Sequence, residues 1–124
     1  MSTPGVGRVQ LRIMQVLWDR KQATAREITA ALNEDEPIAH STVQTLLRKL
    51  EAKGVAAHKA EGRTFLFHAT IKEQKVVRKA TRDLLERVFD GSAAGLVAYL
   101  LKNERIEESE LEEIRRLIGP KNKK

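Results

Sequence analysis

The chain has 124 residues, of which 41% are apolar and 32% are charged. This predicts one compact domain, or a small domain with an appended oligomerisation segment. It contains no cysteine, which excludes disulfides, thiolate metal sites and cysteine nucleophiles. Lys and Arg residues number 23 against 17 Asp and Glu residues, and the net charge of +6 favours a polyanionic partner.

No apolar run in the sequence approaches the roughly 20 residues that a membrane-spanning helix needs. Residues 1–8, MSTPGVGR, lack the apolar segment of a secretory signal peptide. A cytoplasmic location is therefore expected.

Two helices are predicted before residue 38. Residues 8–20 carry apolar side chains at helical spacing on two flanks, which predicts the first helix. Thr24 and Glu27 form a capping box, Thr-Ala-Arg-Glu, at the start of the second helix. The run 33–37, Asn-Glu-Asp-Glu-Pro, predicts where it ends.

A third helix is predicted over residues 41–53, and Gly54 follows it as a natural C-terminal stop. Its apolar residues recur at i, i+3, i+4 and i+7, which predicts one buried face. These residues are Val43, Leu46, Leu47 and Leu50.

Two short runs of strand-forming residues follow the third helix and predict a β-hairpin. The turn between them is placed at residues 61–62, Glu-Gly. This turn pairs His58 with Phe65 and His68 with Val55.

Three further amphipathic helices are predicted after the hairpin. The first covers residues 72–89, with Val77, Leu84, Leu85 and Val88 as its apolar stripe. These helices need a surface that covers their apolar stripes, so we expect a second copy of the chain to supply it. The predicted dimer-forming residues are Leu84, Leu85, Val88, Phe89, Leu96, Val97, Leu100, Leu101, Leu111 and Ile114.

The order of these elements predicts a mainly α fold with a small β-hairpin wing (α+β). Residues 1–70 are expected to form a winged helix-turn-helix DNA-binding domain. Residues 71–124 are expected to form a three-helix dimerisation segment with a basic tail.

The third helix carries the strongest functional signal. Its predicted exposed face holds hydroxyls, an amide and two cations, with no carboxylate from Ser41 to Leu50. Such groups read base edges and hold phosphates, whereas ordinary solvated surfaces usually mix Glu with Lys. Arg63 lies at the predicted tip of the hairpin, and His40 precedes the helix. The predicted DNA contacts are His40, Ser41, Thr42, Gln44, Thr45, Arg48, Lys49 and Arg63.

Five sequence blocks, in this order, resemble the BlaI/MecI/CopY family of penicillinase-type repressors. They are LRIMQVLW (11–18), ATAREI (23–28), STVQTLLRKLEAKG (41–54), EGRTFLF (61–67) and FDGSAAGLV (89–97). The resemblance implies a homodimeric winged-helix repressor that binds an inverted repeat in double-stranded DNA. It also implies that the positions Ser41, Thr42, Gln44, Thr45 and Lys49 lie at the DNA.

The chain departs from this family in three places. The absence of cysteine excludes a copper sensor of the CopY type. In the β-lactam branch a membrane-bound metalloprotease sensor triggers cleavage of an Asn-Phe bond, and the matching bond here is Tyr99-Leu100. Near the start of the first helix the family often has an acidic residue. Here Arg8 and Gln10 stand in that region, which suggests an extra phosphate contact.

The sequence lacks the motifs of common enzymes and metal sites. The sequence has no HExxH, no GxGxxG and no P-loop, and its three histidines are not predicted to converge. We therefore expect no enzyme activity, no metal and no cofactor. Two alternatives stay open: a small-molecule-responsive regulator with a pocket in the dimer region, and a protein-interaction winged helix without sequence-specific DNA binding.

Overall fold

The computed structural model describes residues 5–119. Its elements are α1 (Arg8–Arg20), α2 (Ala25–Asn33), α3 (His40–Ala52), β1 (Ala56–Glu61), β2 (Thr64–Ala69), α4 (Glu73–Phe89), α5 (Ala93–Asn103) and α6 (Glu108–Ile118). This order confirms the predicted helices and the mainly α fold with one hairpin. The predicted basic tail falls on residues 120–124, which lie outside the described residues.

The chain divides into two compact units, up to Thr81 and from Arg82 onward. The first unit has one core to which α1, α2, α3 and the hairpin all contribute. Its buried residues are Ile13, Met14, Leu17, Ala23, Ile28, Leu32, Val43, Leu47, Leu50, Val55, Ala56 and Phe67. The predicted stripe of α3 is therefore its buried face, although Leu46 is only partly buried.

The start of α2 is fixed by two sets of hydrogen bonds. The Oγ1 atom of Thr24 accepts from the Glu27 amide at 3.1 Å, and Glu27 Oε1 accepts from the Thr24 amide at 2.8 Å. This confirms the predicted capping box. Ala23 exchanges two backbone hydrogen bonds with Phe67, of 3.0 and 2.8 Å. This pairing holds the hairpin against the loop before α2, and no local sequence pattern predicts it.

The two strands pair antiparallel, with Glu61 opposite Thr64 and with Gly62 and Arg63 forming the turn. Gly62 has a φ of +65°. A two-residue hairpin turn of type II′ needs a positive φ at its first central position, which glycine adopts without a steric penalty. The turn therefore places Arg63 at the tip of the hairpin.

The predicted strand register is wrong by two residues. His58 lies opposite Phe67 rather than Phe65, and His68 lies opposite Ala57. The prediction put Gly62 in the second turn position, whereas a type II′ turn needs glycine in the first. A shift of two residues leaves each side chain on its predicted face of the hairpin, because side chains alternate with a period of two.

The second unit contains the end of α4 together with α5 and α6. The Oγ atom of Ser92 accepts from the Gly95 amide at 2.8 Å, so Ser92 caps the start of α5. Many large apolar side chains of this unit remain 40–64% exposed: Leu84, Val88, Val97, Tyr99, Leu100, Leu101, Leu117 and Ile118. Among residues 5–119, no helix combines the length and the apolar character needed to cross a membrane.

The apolar stripe predicted for α4 is wrong at its first position. Val76 is buried at 4% exposure, whereas Val77 is 52% exposed. The prediction of a single stripe assumed that the same part of the protein packs against the whole length of the helix. The division between the two units falls within α4, after Thr81, so the first turns and the last turns are buried by different parts of the chain.

The substitutions Val76→Ala and Val77→Ala test this correction as a matched pair. Both change helix propensity equally, so the difference between them reports burial. We expect Val76→Ala to lower the free energy of unfolding by about 1.5 kcal/mol more than Val77→Ala, at roughly 0.8 kcal/mol for each buried methylene. Urea denaturation at one fixed protein concentration measures both. Equal losses would contradict the assignment of Val76 to the interior.

Candidate nucleic-acid interface

The exposed face of α3 brings most of the predicted DNA contacts together. Val43, Leu47 and Leu50 are buried against the core, so the residues between them point outward. The outward residues are Ser41, Thr42, Gln44, Thr45, Arg48 and Lys49, and all of them are exposed. This face presents hydroxyls, an amide and two cations, the groups that bind base edges and phosphates.

The first acidic residue of α3, Glu51, lies one turn after Arg48, on the side of this face that borders the hairpin. The Oε2 atom of Glu51 contacts Nδ1 of His58 on β1, and its side chain is only 25% exposed. The carboxylate of Glu51 therefore lies between α3 and the hairpin, in contact with His58. The exposed face thus carries no carboxylate from Ser41 to Leu50, and its charges are the two cations Arg48 and Lys49.

Arg48 lies beside Thr45 on this surface. One of its terminal nitrogens donates to Thr45 Oγ1 at 3.3 Å, one turn earlier in the helix. A guanidinium has five N–H donors, so this contact orients the group and leaves donors for a ligand.

His40 is placed differently from the other predicted contacts. Its Nδ1 atom lies 2.9 Å from Thr29 Oγ1, and that hydroxyl donates its hydrogen to Ala25 O at 2.9 Å. Nδ1 must therefore be the donor in the contact with Thr29. The side chain is partly buried and links α2 to α3, which leaves Nε2 as the ring nitrogen available to an outside partner.

The predicted phosphate contact at Gln10 is wrong because this side chain is buried, at 7% exposure. Its Oε1 atom accepts from the Gly7 amide at 3.0 Å and from Lys53 Nζ at 2.8 Å. Arg8 is exposed and lies 3.6 Å from a carboxylate oxygen of Glu36. Gln10 thus connects α1 to the end of α3 and does not face solvent.

A groove of about 640 Å³ runs beside this face, between α3, the first turn of α2 and the hairpin. It brings Gln44 and Arg48 of α3 together with Arg63 of the hairpin tip. The other lining residues are Thr24, Ala25, Arg26, Leu47, Glu51, His58, Thr64, Phe65 and Phe67. Sequence reasoning did not place Arg26 at this site. The sequence signal that could have found it is the position of Arg26 in the first turn of α2, directly after the capping residue Thr24.

The predicted dimer contacts all lie in the second unit but differ in exposure. Leu84, Val88, Val97, Leu100 and Leu101 are 40–64% exposed. Phe89, Leu96, Leu111 and Ile114 are partly buried, and Leu85 is buried within the chain itself at 8% exposure. Exposed Tyr99, Leu117 and Ile118 extend the apolar surface beyond the predicted set.

The Tyr99-Leu100 bond lies within α5. Both side chains are exposed, at 52% and 40%. The ring of Tyr99 also packs edge-on against Phe89, with ring centroids 6.1 Å apart. Cleavage of this bond therefore requires local unfolding of α5.

Within the described part of the chain, no group of three or more His, Asp or Glu side chains is arranged to hold a metal ion. The hydroxyl, amide and guanidinium groups on α3 and at the hairpin tip are hydrogen-bonding groups suited to an anionic polymer.

Comparison with known proteins gives concordant matches over nearly the whole chain. The family model described as penicillinase repressor matches residues 6–119. The penicillinase repressor of Bacillus licheniformis is 26% identical over 122 residues, which cover 98% of this chain and 95% of that protein. The methicillin resistance regulatory protein MecI of Staphylococcus aureus strain N315 is 22% identical over 120 residues, covering 97% and 98% of the two chains.

Solved structures of BlaI match about 60% of the chain. The solution structure of the DNA-binding domain of the repressor BlaI aligns with a TM-score of 0.54 at 29% identity, covering 60% of this chain and 93% of that one. The solution structure of monomeric Bacillus licheniformis BlaI in complex with the blaP half-operator aligns with a TM-score of 0.52 at 28% identity, covering 60% and 90%.

Proposed function

The chain belongs to the penicillinase repressor family, and we propose that it acts as a homodimer in which each protomer inserts α3 into the major groove of an inverted-repeat operator. The family and its DNA-binding relatives make the chain a DNA-binding transcriptional repressor. Such repressors are not a class of enzyme. Because a repressor acts at promoters, we place the protein in the cytoplasm.

The observation that carries this proposal is the division of α3 into two faces. Its apolar residues are buried in the core, and its outward residues include no carboxylate between Ser41 and Leu50. Arg48 and Lys49 would bind phosphate or a guanine edge, and Gln44 matches the donor and acceptor pattern of adenine. Arg63 at the hairpin tip would contact the flanking backbone or the minor groove.

The apolar surface of the second unit supports the homodimer. Large exposed apolar side chains on α4, α5 and α6 are costly in water, and a second copy of the same surface would cover them. Two copies of α3 would then reach half-sites separated by one or two turns of the duplex. The inverted repeat in the operator follows from the twofold symmetry of the dimer.

Control by cleavage stays a prediction from the family resemblance. A membrane-bound metalloprotease sensor would lead to cutting at Tyr99-Leu100, which would separate α6 from the rest of the dimer surface. The two residues that this bond joins differ from the Asn-Phe pair of the family. The rival function, a winged helix used only for protein docking, predicts duplex affinity that stays weak and independent of sequence.

Arg48→Ala and Lys49→Ala should each weaken DNA binding and flatten its dependence on salt. Each lost phosphate contact lowers the slope of log K against log salt by about 0.9. Fluorescence anisotropy at several salt concentrations measures this on a duplex selected from a random library. Lys102→Ala removes an exposed cation from α5 and is the matched control. Unchanged affinity in both α3 variants would contradict the assignment of this face.

Thr45→Ala should change sequence preference more than it changes general affinity. We expect the Thr45 hydroxyl and methyl to contact a base edge, whereas the cations would supply most of the attraction to phosphate. Repeating the selection of bound sites with the variant measures this, and Thr45→Ser separates the methyl from the hydroxyl. An equal loss of affinity on all sequences would count against a base contact.

Leu101→Glu should convert the dimer into a monomer. Leu101 is 49% exposed on α5, and twofold symmetry would place two new carboxylates in a desolvated interface. Val77→Glu introduces the same charge at a 52% exposed apolar position in the first unit and serves as the control. Sedimentation velocity measures both variants. A Leu101→Glu protein that stays dimeric would remove α5 from the proposed interface.

A further inference from the structure

The groove between the first turn of α2, α3 and the hairpin lies entirely within the first unit. Its volume of about 640 Å³ falls in the range of sites that hold small organic ligands. We propose that this groove binds a small planar aromatic carboxylate and that the bound molecule competes with DNA. The competition rests on the proposed DNA surface, whereas the binding site itself does not.

One side of the groove is an aromatic surface that the fold leaves partly uncovered. Phe65 remains 50% exposed, although Phe67 on the same strand is buried. The ring of His58 stacks on Phe65, with centroids 4.2 Å apart and planes inclined by 19°, so the Phe65 ring is held in one orientation. A fixed and half-exposed aromatic ring favours a planar apolar ligand, because stacking removes both surfaces from water.

The groove is also positively charged. Arg26, Arg48 and Arg63 line it, and the one carboxylate among the lining residues is that of Glu51. That carboxylate is already bound to Nδ1 of His58. Within residues 5–119, neither Arg26 nor Arg63 takes part in an ion pair. A guanidinium can bind a carboxylate through two parallel hydrogen bonds, so these groups favour an anion of this kind.

The combination of the two features selects the ligand class. A DNA strand supplies phosphates for the arginines, but its stacked bases offer no free face to Phe65. A neutral aromatic molecule supplies a ring and leaves the guanidinium groups without an anion. An aromatic carboxylate supplies both within one molecule.

Binding of such a ligand would oppose DNA binding. Gln44, Arg48 and Arg63 line the groove and also belong to the proposed DNA surface. A carboxylate held by these arginines neutralises charge that DNA phosphates would otherwise use. The apparent dissociation constant for DNA should therefore rise by the factor 1 + L/K, where L is the free ligand concentration and K is the ligand's own dissociation constant.

The site is tested first without DNA. We would titrate 2-naphthoate into the ¹⁵N-labelled full chain and follow the amide signals by NMR, with 2-naphthamide as the uncharged analogue. We expect saturable shifts at Arg26, Gln44 and Phe65, and markedly weaker binding of the amide. Phe65→Ala and Arg26→Gln should each weaken naphthoate binding by about tenfold, as expected for losing a stacked ring or a charged hydrogen bond.

Arg87→Gln is the matched control, because Arg87 is an exposed arginine on α4 outside the groove. Its affinity for naphthoate should equal that of the wild type. The site would be overturned by the absence of saturable shifts at millimolar naphthoate, by equal binding of the two probes, or by shifts centred in residues 82–119.

The competition is measured separately, with a duplex that the protein selects from a random library. Saturating 2-naphthoate should raise the apparent dissociation constant for this duplex in the wild type, and the increase should be smaller in Arg26→Gln. An unchanged constant would overturn the competition. Failure to bind DNA without naphthoate would count against the proposed function, while the titration without DNA would still decide the ligand site.

Discussion

Burial of the apolar stripe of α3 determines which of its side chains face outward. Val43, Leu47 and Leu50 are at most 1% exposed and pack into the core shared by α1, α2 and the hairpin. Complete burial of side chains of this size contributes roughly 1.5–3 kcal/mol each. Rotation of the helix about its axis would lose that stabilisation. The polar face therefore points outward because the core requires it, and the proposed DNA surface follows from the packing beneath it.

The second requirement is that the hairpin be held beside α3. The backbone pairing of Ala23 with Phe67 fixes the hairpin to the loop before α2, and the contact between Glu51 and His58 joins it to α3. Arg63, distant from α3 in sequence, thereby lines the same groove as residues of that helix. The site thus depends on contacts between elements, while each element supplies its own polar groups.

The sequence predicted the parts of this structure that local rules control. The capping box at Thr24, the stripe of α3 and the exposed polar face depend on spacing within one helix, and all were predictable. The predicted strand register was wrong because the register depends on which turn position Gly62 occupies. The prediction for Gln10 failed because its burial depends on a contact with Lys53, which is distant in sequence. The prediction for Val76 failed because the division between the two units falls within α4. The groove joins three elements, so no local pattern could have revealed it.

We propose that the outward face of α3 reads a DNA sequence as part of a symmetric dimer. Selection of bound sites from a random duplex library at roughly physiological salt, with the full chain, tests this directly. We predict an enriched inverted repeat whose half-sites are separated by one or two helical turns. Absence of any enriched sequence would contradict the account and favour a winged helix that docks another protein.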